Sequence, residues 1–159
     1  MARVVGLQIA KAARMDMVSV DSIDIETGHG IAGDRYENAR HRQVTVQSLE
    51  EIALAEAEVG RPLDAVLTRR NITLDGGMMN RKPGARIKLG SNDTGWVELE
   101  VVRDAAPCKL LEDNLGRDAK LALHKRAGVT YRTLHGGTIS LGDELIEVAV
   151  EPIEEETSA

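Results

Sequence analysis

The sequence predicts a mainly β domain: a barrel-like sheet with helices packed on its outside. Three observations point to that class. Many short runs are apolar or alternate apolar with polar residues, glycine-containing turns separate them, and only two or three stretches carry a helical pattern. A chain of 159 residues buries a full core as one unit, expected over residues 3–150. The remainder, residues 151–159, begins Glu151-Pro152-Ile153-Glu154 and reads as an acidic, disordered tail.

In order, Arg3 to Ile9 reads as the first strand, and Val18 to Ile25 alternates like a half-buried second one. Gly28, Gly30 and Gly33 mark an irregular loop through Tyr36. Their spacing matches a dinucleotide fingerprint only formally, because no strand–helix context surrounds it. A short strand, Gln43 to Val46, precedes a capping box of Ser48 with Glu51. The helix it opens is expected to run to Val59, bury Leu49, Ile52, Ala53 and Ala57, and stop at Gly60. Arg69-Arg70-Asn71 leads into the strand Ile72 to Leu74. Turns at Gly76-Gly77 and Pro83-Gly84 then separate that strand from Arg86 to Gly90 and Trp96 to Val102. A second helix is expected from Arg117 to Arg126, burying Ala119, Ala122 and Leu123, with Leu115 on its approach. Strands Val129 to Leu134, Thr138 to Ser140 and Glu144 to Val150 close the domain.

One cysteine excludes an internal disulfide, a Cys-rich zinc site and a thiolate-held iron–sulfur cluster. No apolar run suits a signal peptide or a membrane span, so a reduced cytoplasmic setting is expected, with no membrane partner. A formal charge of −6 argues against a nucleic-acid partner. Acidic residues gather on the first helix and in the tail, whereas Arg35, Arg40, Arg42, Arg69, Arg70, Arg81 and Lys109 fall in loops. Basic loops on an acidic chain fit either one shared site for a small anion or separate solvated charges.

The single cysteine, Cys108, follows Pro107 and precedes Lys109. Proline is pre-set for a first helical turn, which would place Cys108 within that turn. Unpaired N–H groups, the helix dipole and Lys109 would together favour a thiolate, the form that attacks, carries sulfur or ligates a soft metal. The alternative is a small buried apolar residue without chemistry.

Taken together, Gly33-Asp34-Arg35-Tyr36, His41-Arg42-Gln43-Val44-Thr45, Arg69-Arg70-Asn71-Ile72, Pro83-Gly84, Pro107-Cys108-Lys109-Leu110, Gly128-Val129 and Gly136-Gly137 with Gly142-Asp143 occur in the order that resembles the MOSC domain family, after the C-terminal part of molybdenum-cofactor sulfurase. The resemblance spans Val4 to Val150 and implies a β-barrel-like fold with Cys108 as the functional sulfur. It implies two alternatives for function. In one, a molybdenum–pterin cofactor is bound with Cys108 as molybdenum ligand, and N-hydroxylated compounds are reduced. In the other, Cys108 carries a persulfide for delivery to a metal cofactor. A third alternative is a non-catalytic module that binds an anionic cofactor. Expected partners are the anionic cofactor or a small substrate, with a cysteine desulfurase or an external electron-transfer protein. The larger cofactor-binding members carry an N-terminal β domain, and electrons need a ferredoxin-type domain; neither is recognisable here.

For the site, Cys108 is the candidate catalytic residue and metal ligand, and Arg35, Gln43, Arg69, Arg70, Asn71 and Lys109 are candidate cofactor-binding residues. A guanidinium suits a phosphate because its planar fork bonds two oxygens. Neighbouring residues on a strand face opposite ways, so Arg69 and Arg70 enter one site only if a bulge or loop end re-aims one of them. Asn71 either bonds a pterin edge or satisfies a turn, and Gln43 either faces the cofactor or ends a strand. Lys109 is expected to tune Cys108, and Asp34 to order its loop. His41 reads as surface.

Overall fold

The computed structural model describes residues 2–148, so the acidic tail and the last two residues of the expected final strand lie outside the described residues. Strand pairing organises the chain. One sheet takes in β1 (Val4–Ile9), β2 (Val18–Ser19), β5 (Val44–Ser48), β6 (Ile72–Leu74), β7 (Arg86–Ser91), β8 (Gly95–Asp104), β9 (Val129–His135) and β11 (Glu144–Val148). Its order is β11-β7-β8-β9-β5-β6-β1-β2. A second sheet joins β3 (Ser22–Glu26), β4 (Gly30–Ile31) and β10 (Gly137–Ser140) in the order β10-β3-β4.

The large sheet curls into a half-barrel, and the start of β1 meets the start of β11. Arg3 bridges Glu144, Val4 N–H donates to Asp143 C=O at 2.8 Å, and Leu145 N–H donates to Ala2 C=O at 3.0 Å. Those bonds satisfy backbone groups that an open edge would leave unpaired. Val4, Leu7, Val44, Val46, Ile72, Leu89, Leu99 and Val129 fill the interior, each at most 1% exposed. A separate cluster under the helices joins Ile52, Ala55, Leu111, Ala119 and Leu123, and Cys108 packs against its edge.

Several elements depart from the sequence reading. The expected strand over 18–25 is two strands: β2 pairs with β1, and β3 pairs with β10 in the other sheet. Between them Val20 N–H reaches Leu7 C=O and Asp21 C=O accepts from Leu141 N–H. Ser48 caps α1 (Leu49–Val59) by accepting from Glu50 N–H at 3.1 Å, but Glu51 does not complete the capping box. Its carboxylate is fully buried and takes both Nη atoms of Arg81 at 2.6 and 2.8 Å, plus Met79 N–H. The helix therefore buries Glu51, Ile52 and Ala55, while Leu49, Ala53 and Ala57 are exposed. The helix expected over 117–126 is α3, Arg117–Ala122, and ends in turns; Ala119, Ala122 and Leu123 are buried as expected. Before it comes α2, Lys109–Leu115, and a 3-10 turn spans Ala65–Thr68. No helix among the described residues is long and apolar enough to cross a membrane.

Candidate functional site

Cys108 is not inside the first helical turn but caps it. Its backbone is extended, at φ −98° and ψ 172°, and its sulfur accepts from Leu111 N–H at 3.4 Å. Pro107 accordingly stands outside α2, one residue before the cap. Cys108 is partly exposed and lines a cleft of about 270 Å³ together with Ala13, Arg14, Arg35, Tyr36, Arg42, Arg69, Arg70, Lys109, Leu110 and Asp113.

The loop geometry explains how two adjacent arginines reach one cleft. Arg69 closes the 3-10 turn in the left-handed conformation, φ 67°, three residues before β6 begins. The strand alternation that would send the pair to opposite sides has not started there. Arg70 is 1% exposed and bonds three carbonyls: Nε to Ala127 at 2.6 Å, and Nη2 to Ala106 at 2.9 Å and Ala105 at 3.4 Å. It thereby ties the segment that carries Cys108 to the loop before β9. Burial pushes its guanidinium down to about 10, opposed by the nearby Cys108 sulfur.

Arg69 is different. It is 5% exposed, yet among the described residues its guanidinium makes no hydrogen bond and no ion pair. Burial first, and then the Arg35 cation, lower it from its ordinary value, and the Cys108 sulfur again opposes the shift. The Arg69 nitrogens keep some contact with the open cleft, whereas among the described residues the neighbouring Arg42 Nε is buried without a partner. Unpaired cationic groups held away from bulk water carry a cost that an anion in the cleft would offset.

Arg35 is held from three sides. Nη2 donates to Arg69 C=O at 3.1 Å, and Nη1 lies 3.2 Å from the Met17 sulfur and 3.4 Å from Asp34 Oδ1. Its guanidinium and that of Arg42 sit 4.4 and 4.5 Å from the centre of the Tyr36 ring, a cation–π arrangement that fixes both without neutralising either. Asp34 is buried and anchors the loop, accepting from Ala10 N–H and Tyr36 N–H, each at 3.1 Å.

The other candidates are placed otherwise. Gln43 and Asn71 do not line the cleft. The Gln43 amide donates to Gly28 and Ala39 carbonyls and accepts from Thr133 N–H and Oγ1. Asn71 is fully buried; its amide accepts from Thr45 N–H and Oγ1 and donates to Gln8 C=O and Asp34. Both amides clip strands and loops together, with no group left for a ligand. Lys109 lines the rim, but its amine bonds Asp113 at 3.2 Å and Glu112 at 3.4 Å, the first of which chiefly holds it above its ordinary value. His41 is exposed and outside the cleft.

Sequence reading missed Arg14, Tyr36 and Arg42 as cleft residues. Arg42 was visible as part of a basic loop, and Tyr36 as the aromatic beside Arg35. Arg14, left-handed at φ 70°, gave no signal. Among the described residues no three or more His, Cys, Asp or Glu side chains gather as a metal site. The donor chemistry here is one soft sulfur beside a cationic cradle. That set fits a group bringing its own metal ligands and a negative charge.

A curled β sheet with peripheral helices, one cysteine at a helix cap and an arginine-lined cleft beside it define the class of protein. The MOSC domain family matches residues 32–146, and the chain belongs to that family. Among solved structures, YuaD from Bacillus subtilis is similar with a TM-score of 0.76 at 20% identity, over 91% of this chain and 94% of that one. YiiM from Geobacillus stearothermophilus gives 0.69 at 18% identity, over 94% of this chain and 76% of that one. YiiM from Escherichia coli gives 0.65 at 16%, over 94% and 71%. At these identities the likeness is one of fold. No curated protein matches the sequence.

Proposed function

We propose that this MOSC protein is associated with the molybdenum cofactor: the arginine cleft grips the anionic part of a molybdenum–pterin, and Cys108 offers its sulfur to the metal in the reduction of N-hydroxylated compounds. The observation that carries this is the unpaired, buried Arg69 guanidinium in the same cleft as the cysteine. When bound, the cofactor supplies the redox chemistry. The chain's own residues do the holding. Arg69 faces negative oxygens, Arg35 adds its charge while holding the Arg69 carbonyl, Tyr36 keeps Arg35 and Arg42 in place, and Arg70 fixes the backbone on which Cys108 stands. Electrons come from an external electron-transfer protein. The test is molybdenum and pterin content after purification from a cofactor-making host. Wild-type protein is expected to retain both, and Cys108→Ala and Arg69→Gln to lose most of them; equal content in all three would sink the proposal.

A second reading keeps the same residues and makes Cys108 a persulfide carrier fed by a cysteine desulfurase. What favours it is the cleft's size and openness. A volume of about 270 Å³ falls just below the usual range for small-molecule sites, and Cys108, partly exposed in its lining, is open to a donor. Cyanide-labile sulfur on the purified wild-type protein, absent from Cys108→Ser, is the outcome this reading expects.

A further inference from the structure

We infer that the cleft takes a small sulfane-sulfur oxyanion, of the thiosulfate class, as a direct sulfur donor to Cys108. The inference rests on the persulfide reading and adds to it a donor that needs no protein partner. Two independent features meet here. One is the cysteine sulfur open to the cleft; the other is Arg69, buried and unpartnered, with Arg35 and Arg42 held beside it on Tyr36. Asp113 is the one carboxylate lining this cleft, and Lys109 occupies it at 3.2 Å. Among the described residues Asp34 pairs with Arg35 from behind and Asp16 acts on Arg69 from a distance without bonding it, so the cleft lining keeps an excess of positive charge. A small dianion fits that volume and charge, and its sulfonate oxygens match guanidinium forks.

The step balances without a further reagent. The Cys108 thiolate attacks the outer, sulfane sulfur of thiosulfate. A new S–S bond forms, the S–S bond of thiosulfate breaks, and its electron pair leaves on sulfite. Cys108 becomes a persulfide anion, so one thiolate and one thiosulfate dianion give one persulfide anion and one sulfite dianion. Arginines that hold the sulfonate in the ground state also hold the departing sulfite, where charge grows. Cyanide regenerates the thiolate by taking the outer sulfur as thiocyanate.

The experiment incubates reduced full-length protein with thiosulfate, follows sulfite release and records the intact mass. A parallel arm offers cysteine and a cysteine desulfurase. Wild type is expected to gain the mass of one sulfur and release one sulfite, and Cys108→Ser to do neither. Arg69→Gln, checked for folding by its melting curve, is expected to load from thiosulfate about tenfold to a hundredfold more slowly, the loss of one charge-assisted contact. Its loading from the desulfurase, which brings sulfur on a protein thiol rather than on an oxyanion, should fall less than its loading from thiosulfate. Loading from the desulfurase but not from thiosulfate overturns this inference and leaves the persulfide reading standing; loading from neither removes both. Thiosulfate loading that ignores Arg69→Gln overturns the cleft's part in it.

Discussion

At the scale of single residues, Arg69 and Arg70 are neighbours with opposite consequences. Arg70 donates to three carbonyls and is part of the structure; Arg69 donates to none and is held ready. Arg70→Gln should therefore destabilise the protein by about 3–5 kcal/mol, since buried carbonyls lose their donor. Arg69→Gln should leave stability unchanged or raise it slightly, because it removes a buried charge without a partner. Denaturant melts of the two variants in anion-free buffer check both. Phosphate should then stabilise wild type but not Arg69→Gln.

The pH dependence follows from Arg70, which burial lowers from its ordinary value to about 10 in the folded protein. Below about 10 the group is charged whether the chain is folded or unfolded, so anion binding should not vary on its account. As pH rises through that value the folded protein gives up the proton first, and anion affinity should fall. For stability the sign is reversed: between about 10 and the higher, ordinary arginine value the unfolded chain holds the extra proton, so this group adds stability as pH rises. Calorimetric titration of Cys108→Ser with phosphate isolates the binding effect from the thiol. The place of Cys108 at a helix start was legible, because Pro107 stands before it. Gln43 and Asn71 were not, since an amide at a strand end serves a ligand or a backbone equally well until the opposite loop is known.

Among the elements, α1 shows how a local signal yields to a tertiary one. Ser48 and Glu51 carry the spacing of a capping box, and Ser48 caps as expected. Glu51 instead meets Arg81 in a buried two-point pair that sequence could not place 30 residues away. Turning that face inward exposes Leu49, Ala53 and Ala57. Glu51→Ala should cost about 3–5 kcal/mol because Arg81 is left half-buried with only Asp104, and Ser48→Ala about 1 kcal/mol. In a double-mutant cycle with Arg81→Met, most of the Glu51 loss should disappear; additive losses would refute the pairing. The strand over 18–25 was misjudged for a similar reason: its alternation was real, but its two halves pair with different sheets.

Over the whole molecule, the class of fold was legible because short strands and glycine turns recur along the chain. The strand order was not, because β5 and β6 pair in parallel across a connection holding α1 and the 3-10 turn. That connection brings Arg69 and Arg70 beside Cys108 from more than 35 residues away, which is why separate basic loops make one cleft. Close packing behind the cleft depends on Gly128, at φ 98°, where an added Cβ would stand 2.4 Å from Val46 C=O. Gly128→Ala should push the preceding Ala127 acceptor of Arg70 out of place and lower both stability and anion affinity. The melting temperature and a phosphate titration of that variant measure the two losses.

The central claim is that the lone sulfur and the buried cations form a single anion-holding site. The most direct check is the rate at which a neutral alkylating reagent modifies Cys108, the only thiol in the chain, with and without phosphate. Phosphate should slow the reaction several-fold in wild type and leave the rate of Arg69→Gln unaltered. A wild-type rate indifferent to phosphate would contradict the account.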